Sequence, residues 1–584
     1  MLFITKPVDR FRIPATVEAL VAVASLFWAF TANQLFLSAA LKDRVLSAPA
    51  TWGFALALLV MLAALHFVLL ALVSNRWTVK PLLALLITGT AFATYFMQTF
   101  GVYLDPTMMR NMLHTDVAEA RELFSWSLLP HLLLHAVLPL LLLWRVRVVR
   151  HGLARSAIVR FGALVLALVL LVGALVMVFQ AFASMMRNHK DMRYLVTPGN
   201  YLWSISAVAA AQAKGAAKPR QAIGLDATPG PRMAARAEAK DGVAAKPLLL
   251  VLVVGETARA ANWGLNGYSR QTTPELAKLP VINFPNVGAC GTNTEVSLPC
   301  MFAAVGRRDY DEERIRGSQS LLHVLARAGV AVHWRDNQSG CKGVCEGLPQ
   351  DAVVALNPPG LCANGRCMDE GLLAGLVAWL GNAAGAPQGN AQGNAQADAQ
   401  AGAPGRAGGT RLLVLHQLGN HGPSYFRRYP PAFARFKPAC EQDDLQKCSR
   451  EEIVNAYDNA LLYTDHVLAS LIGRLQAASA TVDSAVFYVS DHGESLGENN
   501  LYLHGLPYAI APDLQKRVPM IMWFSPGAAA NIGIDTACLQ KRAQAPAAHD
   551  HLFHTVLTLL DVKTTLHEAA WDLAQGCRTP PAPP

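Results

Sequence analysis

The spacing of apolar residues divides the chain into two unlike parts. Five long apolar stretches, at about 15 to 40, 52 to 74, 81 to 103, 127 to 144 and 161 to 182, fill most of the first third. A bilayer core takes roughly 20 apolar residues as a helix, so each stretch is expected to be a membrane span. The first is too long for the apolar core of a signal peptide, and no clear small-residue cleavage pattern follows it; it is expected to remain as an anchor. Beyond about residue 246, short apolar runs alternate with helix-period patterns, which predicts a mostly parallel sheet flanked by helices. The strand candidates end in polar residues. Leu248 to Val254 runs into Gly255-Glu256, Leu412 to Leu415 into His416, Ala485 to Val489 into Ser490-Asp491-His492, and the shorter Val330 to Trp334 into Arg335-Asp336-Asn337. Ligands of open α/β sheets bind at the carboxyl ends of strands, so these separate segments are expected to converge.

Between the two parts, residues 183 to 206 mix Tyr194, Tyr201 and Trp203 with leucines, a composition suited to a membrane interface. Residues 207 to 246 turn rich in Ala, Lys, Pro and Gly and read as a linker. The expected organisation is a transmembrane domain at 1–182, an interfacial segment and linker at 183–246, and a catalytic domain at 247–584. The low-complexity run at 382–409 reads as a disordered surface insertion without function.

Short-loop Lys and Arg set orientation. Lys6, Arg10 and Arg12, then Arg76 and Lys80, then Arg145, Arg147, Arg150, Arg155 and Arg160 mark three cytoplasmic segments; Lys42 and Arg44 are a weaker opposing signal, partly offset by Asp43. Five spans then carry the C-terminal part across to the opposite, periplasmic side. Cysteine usage points the same way. All ten, Cys290, Cys300, Cys341, Cys345, Cys362, Cys367, Cys440, Cys448, Cys538 and Cys577, lie in that part, and disulfides persist in oxidising compartments. Zinc binding by Cys341/Cys345 and Cys362/Cys367 is the alternative, without CxxC spacing or finger histidines to support it. Pairing of sequence neighbours, with Cys538 left to Cys577, is the expected connectivity, although spacing alone does not decide it. The net charge of +9 comes with no nucleic-acid motif, and its membrane-flanking residues suit anionic lipid headgroups instead.

Two carboxylates and an imidazole at strand ends, Glu256, Asp491 and His492, form a donor set compatible with Zn²⁺, with Mn²⁺ or Mg²⁺ as rivals. The segment Cys290-Gly291-Thr292-Asn293-Thr294-Glu295 is a small polar turn between two cysteines. Thr294 can sit there near a helix N-terminus, where free N–H groups favour a phosphate, and metal coordination is one of the few ways to activate a threonine hydroxyl. Capping by Thr292 or Thr294 is the plain alternative. His416, His421 and His504 lie in loops and can serve a second metal or a phosphate oxygen. Lys342 can supply a compact cation. Asp465 and His466 read as structural or surface residues.

Taken in order, GETAR at Gly255 to Arg259, CGTNTEVSLPCMF at Cys290 to Phe302, HQLGNHGPSY from His416 and SDHGESLGE from Ser490 resemble the lipid A phosphoethanolamine transferases. That family includes the mobile colistin resistance enzymes and lies in the alkaline phosphatase and sulfatase superfamily. The resemblance implies Thr294 as nucleophile, with Glu256, Asp491 and His492 completing a zinc site. It implies substrate-phosphate or second-metal roles for Lys342, His416, His421 and His504. Asn111, Thr115, Glu119 and Ser339 match residues that face the donor headgroup, and at spacing four Asn111, Thr115 and Glu119 are expected on one helix face. Glu295 departs from the family, which often carries a small or apolar residue there; a carboxylate beside the site repels phosphate unless it points away.

The implied activity is a two-step transfer of phosphoethanolamine from phosphatidylethanolamine to lipid A through a threonine-bound intermediate, with one zinc and room for a second, in a monomer. Masking a phosphate with an ammonium group would weaken attraction for cationic peptides such as polymyxin. Alternatives are the same chemistry on a lipopolysaccharide core sugar, a glucan or a protein, phosphoglycerol transfer, or a non-catalytic binding protein on the same fold. A sulfatase is disfavoured because Ser297-Leu298-Pro299-Cys300 lacks the pattern needed for formylglycine formation.

Overall fold

The computed structural model describes residues 12–42, 44–115, 117–215, 219–237, 246–376, 380 and 409–579. The insertion at 382–409 lies outside them apart from Gly409, as do Lys6, Arg10 and Asp43. The chain forms two compact units, one of residues up to Arg110 together with Phe124–Ala211, the other of Asn111–Leu123 together with Gln212 onward.

The first unit is helical. Its elements are α1 (Val17–Thr31), α2 (Gln34–Leu41), α3 (Pro49–Val73), α4 (Val79–Phe100), then, beyond α5 (Pro106–His114) and α6 (Val117–Glu122), α7 (Leu128–Arg145), α8 (Leu153–Asn188) and α9 (Gly199–Gly215). Helices α3, α4, α7 and α8 are each long and apolar enough to cross a membrane, and α1 and α2, bent by 50° at their break, are so when taken together as one span. The bend falls at buried Asn33, whose amide donates to the carbonyls of Trp28 (2.9 Å) and Thr197 (2.8 Å) and accepts from the Thr197 amide (3.0 Å). The Asn33 side chain is thus a second donor to the Trp28 carbonyl, which keeps its helical bond from the Ala32 amide (3.0 Å), and it ties the bend to Thr197. On α8 only Ala167 and Ala174 are buried, while Phe161, Leu166 and Val169 face outward. An apolar surface of that kind is stable in hydrocarbon and not in water.

The second unit is built on an eight-stranded sheet: β1 (Leu248–Gly255), β2 (Ile282–Gly288), β3 (Ala331–Asp336), β4 (Gln350–Ala352), β5 (Thr410–His416), β6 (Asp483–Ser490), β7 (Arg517–Phe524) and β8 (Ala547–Ala548). The order is β8-β2-β7-β6-β1-β5-β3-β4, and only β7 runs against the rest. Strands β1, β5 and β6 are buried throughout, which explains the apolar runs at 248–254, 412–415 and 485–489 within them. Leu248, Leu250, Leu252 and Val254 share one core with Leu298 of α10 (Thr294–Met301), Phe302 and Phe553 of α12 (Asp550–Leu559). Helix α11 (Arg450–Ala477) packs on β6 and starts at a capping box in which Ser449 and Glu452 serve each other's backbone amides. Five disulfides join Cys290 to Cys300, Cys341 to Cys345, Cys362 to Cys367, Cys440 to Cys448 and Cys538 to Cys577.

Candidate active site

The four polar strand ends belong to consecutive strands, β6, β1, β5 and β3. Register aligns Ser490 with Gly255, and His416 with both Val254 and Asp336. Glu256, Asp491, His492, His416 and Asp336 therefore emerge on one edge of the sheet. The chain leaves β1 through Thr257 at φ 62, while the Asp491 amide donates to the Gly255 carbonyl (2.9 Å). Gly419 is needed where it lies: at φ 54, a Cβ there would come within 2.5 Å of the Glu256 carbonyl oxygen.

Glu256, Asp491 and His492 are fully buried, and one donor atom from each lies within 4.8 Å of the others. Nδ1 of His492 is occupied by the Gly493 carbonyl (2.9 Å), so Nε2 faces Glu256 Oε1 and Asp491 Oδ2, each at 3.3 Å. Asp491 Oδ1 accepts from the Thr257 and His492 amides at 3.1 and 2.7 Å, whereas Oδ2 has no hydrogen-bond donor. A buried carboxylate oxygen without a donor, an imidazole oriented by its other nitrogen and a second carboxylate together fit a divalent cation. The electrostatics agree. Burial would push the His492 imidazole below its ordinary value, but Asp491 and Glu256 overcome this and hold it up at about 10. The two carboxylates thus favour positive charge at this corner.

Thr294 is the first residue of α10, capped by the Asn293 side chain, which accepts from the Val296 amide. Its hydroxyl lies 3.1 and 3.0 Å from the two Glu256 oxygens and 3.4 Å from His492 Nε2. Thr292 instead gives its hydroxyl to the Leu506 carbonyl (2.6 Å), so it holds the turn.

The remaining residues named from the sequence are distributed among individual pairs. His416 Nδ1 lies 2.8 Å from Asp336, His421 Nε2 3.2 Å from Glu119, and His504 Nδ1 3.3 Å from Glu494. Among the described residues, Glu256, Asp491 and His492 are the only group of three or more placed to share a metal ion. Burial lowers and carboxylate pairing raises the His416 and His421 imidazoles, with a net upward shift for both. Lys342 donates to Ser339 Oγ at 2.7 Å, and Ser339, Glu119 and His421 line one small pocket with Gln338, Arg366 and Leu418. Glu295 is buried, and its carboxylate meets Arg316 at 3.1 Å, His114 at 3.2 Å and Lys342 at 4.0 Å. Basic side chains thus surround the carboxylate expected to repel phosphate.

The expected helix face of Asn111, Thr115 and Glu119 does not form. Asn111 ends in α5, Glu119 lies in α6, and Thr115 sits between them with its hydroxyl bonded to the Asn111 carbonyl (2.9 Å). That hydroxyl takes the carbonyl that a continuing helix would give to the Thr115 amide. Asp465 is buried and accepts from the Glu275 and Leu276 amides, and His466 pairs with Glu275 at 3.1 Å; both serve structure. Sequence reading missed Glu122, which binds Arg428 through both carboxylate oxygens and lies 3.3 Å from Arg366. Arg428 also donates to the His421 carbonyl (2.7 Å), so this cluster holds the helix of Glu119 against the loop of His421. Glu494 was quoted within its motif without a role; its pairing with His504 supplies one.

Residues 62–213 match the family model described as phosphoethanolamine transferase EptA/EptB, and residues 249–392 and 395–562 match the sulfatase model. Phosphoethanolamine transferase EptA of Escherichia coli K12 is 39% identical over 88% of both chains. Phosphatidylethanolamine transferase Mcr-1 of Escherichia coli is 36% identical over 93% of this chain and 94% of its own. Among solved structures, the integral membrane lipooligosaccharide phosphoethanolamine transferase A of Neisseria meningitidis superimposes with a TM-score of 0.86 at 34% identity, over 97% of this chain and all of that one. The chain belongs to the phosphoethanolamine transferase family, as an inner-membrane protein whose sulfatase-type catalytic domain lies in the periplasm.

Proposed function

We propose that this chain transfers phosphoethanolamine from phosphatidylethanolamine to a phosphate of lipid A in two steps, with Thr294 as the covalent carrier and zinc as the metal. The observation that carries the reading is the Thr294 hydroxyl at a helix N-terminus, within 3.1 Å of both Glu256 oxygens and against His492 Nε2. Glu256, Asp491, His492 and Thr294 would hold the zinc. Bound there, it would lower the hydroxyl pKa and screen the phosphoryl oxygens.

In the first step Thr294 Oγ bonds to the donor phosphorus as the bond to the diacylglycerol oxygen breaks; the hydroxyl proton ends on diacylglycerol, with Glu256 its first acceptor. In the second, a lipid A phosphate oxygen attacks that phosphorus as its bond to Thr294 Oγ breaks, and the threonine oxygen takes up a proton from the acceptor phosphate's own hydroxyl or, where that is ionised, from water. Lys342 supplies positive charge to the phosphoryl oxygens, held by Ser339. Glu119, at the pocket shared with Ser339 and His421, offers a carboxylate to the donor ammonium, with Asn111 and Thr115 alongside. His416, His421 and His504 face the phosphate or a second metal. The product gains an ammonium group, and polymyxin resistance is the expected phenotype.

The test uses the full chain in vesicles of phosphatidylethanolamine with a fluorescent acyl chain, plus lipid A and zinc. Wild type is expected to release labelled diacylglycerol and to add phosphoethanolamine to lipid A by mass spectrometry, and Thr294→Ala to do neither. Diacylglycerol release without modified lipid A would overturn the acceptor, and an active Thr294→Ala the nucleophile.

A further inference from the structure

The sheet does not by itself hold the nucleophile against the metal corner. Asp491 and His492 follow β6, whereas the turn that carries Thr294 follows β2, and β7 lies between these two strands. No ladder hydrogen bond joins β2 to β6. Other contacts must help to set the distance on which transfer depends, and two side chains link the nucleophile turn directly to the backbone of Ser490 and Asp491.

His549 is the first. It follows the edge strand β8, whose Ala547 and Ala548 pair with Val287 and Gly288, and its own amide donates to the Gly288 carbonyl (2.9 Å). The ring, 1% exposed, then reaches beneath the nucleophile turn. Nδ1 accepts the Cys290 amide proton at 2.9 Å, and Nε2 lies 2.9 Å from the Ser490 carbonyl, the residue before Asp491. These partners fix the tautomer. A nitrogen that faces an N–H must be bare, and one that faces a carbonyl must carry the proton, so His549 is neutral with its hydrogen on Nε2. Burial, which pulls the imidazole down to about 3, favours the same form. Ser297 of α10 is the second contact. Its hydroxyl donates to the Asp491 carbonyl and accepts from the Gly291 amide at 3.3 Å, and its oxygen lies 3.4 Å from His549 Nδ1.

We infer that His549 and Ser297 form a neutral brace that spans β7 and sets the position of Thr294 relative to Asp491 and His492. Both are positioning residues, acting through the backbone on either side of the reaction. The inference rests on Thr294 as nucleophile.

The ring can be dissected because no other side chain copies both nitrogens. Asn places an acceptor where Nδ1 lies and keeps only the Cys290 contact. Gln places a donor where Nε2 lies and keeps only the Ser490 contact, while Leu keeps neither. In the full-length enzyme with phosphatidylethanolamine and lipid A, His549→Leu is expected to lower kcat about 100-fold, the scale of an ångström of misalignment. KM for the donor and the zinc bound per chain are expected to stay at wild-type values. His549→Asn, His549→Gln and Ser297→Ala are expected to fall between Leu and wild type. A zinc-loaded, folded His549→Leu with wild-type kcat would overturn the brace, as would losses in all four variants that follow bound zinc or melting temperature alone. Where His549→Leu does not fold, the Asn and Gln variants decide, since wild-type kcat in both would equally overturn it. Thr294→Ala runs alongside: activity there condemns the nucleophile, whereas its inactivity beside a fully active His549→Leu condemns only the brace.

Discussion

The candidate metal corner and the proposed substrate corner belong to one unit but are assembled by different forces. Glu256, Asp491 and His492 project from adjacent parallel strands whose register is set by backbone hydrogen bonds. The substrate corner draws Glu119 from α6 and Ser339, Lys342, His421 and His504 from distant loops, and side-chain pairs hold much of it: Glu119 with His421, Glu122 with Arg428, Lys342 with Ser339. A backbone ladder survives the loss of any one side chain. An ion pair does not. Substitutions in the metal corner should therefore leave the framework intact and remove chemistry, whereas those in the substrate corner should loosen binding while the metal stays.

Asp491→Asn is the strongest test of that contrast. It removes a charge where Oδ2 has no donor, and the amide would bring an N–H group or a neutral oxygen to face His492. We expect bound zinc to fall and kcat to drop at least about 1,000-fold, the upper range for loss of one preorganised electrostatic contact, with the melting temperature of the metal-free protein little changed. Metal analysis beside the transfer assay checks it. Full zinc with full activity would remove Asp491 from the ligand set.

Glu119→Gln probes the other side and should cost less. The carboxylate lies 3.2 Å from His421; burial opposes its charge, yet His421 holds its pKa below the ordinary range. Loss of a charged hydrogen bond is worth about 1.5 to 3 kcal/mol, or roughly 10- to 100-fold. The loss should fall mainly on KM for phosphatidylethanolamine, with zinc content unchanged. A zinc loss as large as that of Asp491→Asn would erase the distinction between the corners.

How legible each corner was in the sequence follows from the same difference. The strands β1, β5 and β6 could be read because burial on both faces favours runs of apolar residues, and the polar residues that follow those runs stand out against that background. The metal corner inherits this clarity, with Glu256 and Asp491-His492 placed by local sequence alone. The substrate corner depends on pairings between remote segments, such as Glu122 with Arg428 at a separation of 306 residues, and no local pattern marks either partner. Thr115 shows the limit in miniature. The spacing of Asn111, Thr115 and Glu119 predicts one helix face, but α5 stops at His114 and the Thr115 hydroxyl bonds back to the Asn111 carbonyl. His549 carried no signal for a related reason: it follows a two-residue strand, and its partners are backbone groups of segments more than 50 residues away.

A third pair, at the far edge of the sheet, gives the baseline against which both corners are judged. Arg335 on β3 lies opposite Asp351 on β4 and meets it with two hydrogen bonds, Nε to Oδ1 at 2.8 Å and Nη2 to Oδ2 at 2.9 Å. Burial alone would raise the Asp351 carboxyl, but the Arg335 hydrogen bonds and those of His333 outweigh it and bring the group from 3.8 down to about 2. A carboxyl with a depressed folded-state pKa stabilises the native state above its unfolded pKa, and the contribution disappears as pH falls through the folded value. The shift corresponds to about 2 kcal/mol at neutral pH, lost between about pH 4 and pH 2. Thermal melts of the full chain in detergent should show Asp351→Asn destabilised at pH 6, with the gap to wild type narrowing as pH drops below 4. Zinc content and KM should be unaffected at neutral pH, because the substituted carboxylate lies on the sheet's last strand and bonds to Arg335 and His333 and to none of the proposed site residues. A gap that stays constant down to pH 2.5 would mean that the ionised carboxylate adds nothing beyond a neutral hydrogen-bonding partner, and pairing in the substrate corner would then also have to be argued from geometry without its charges.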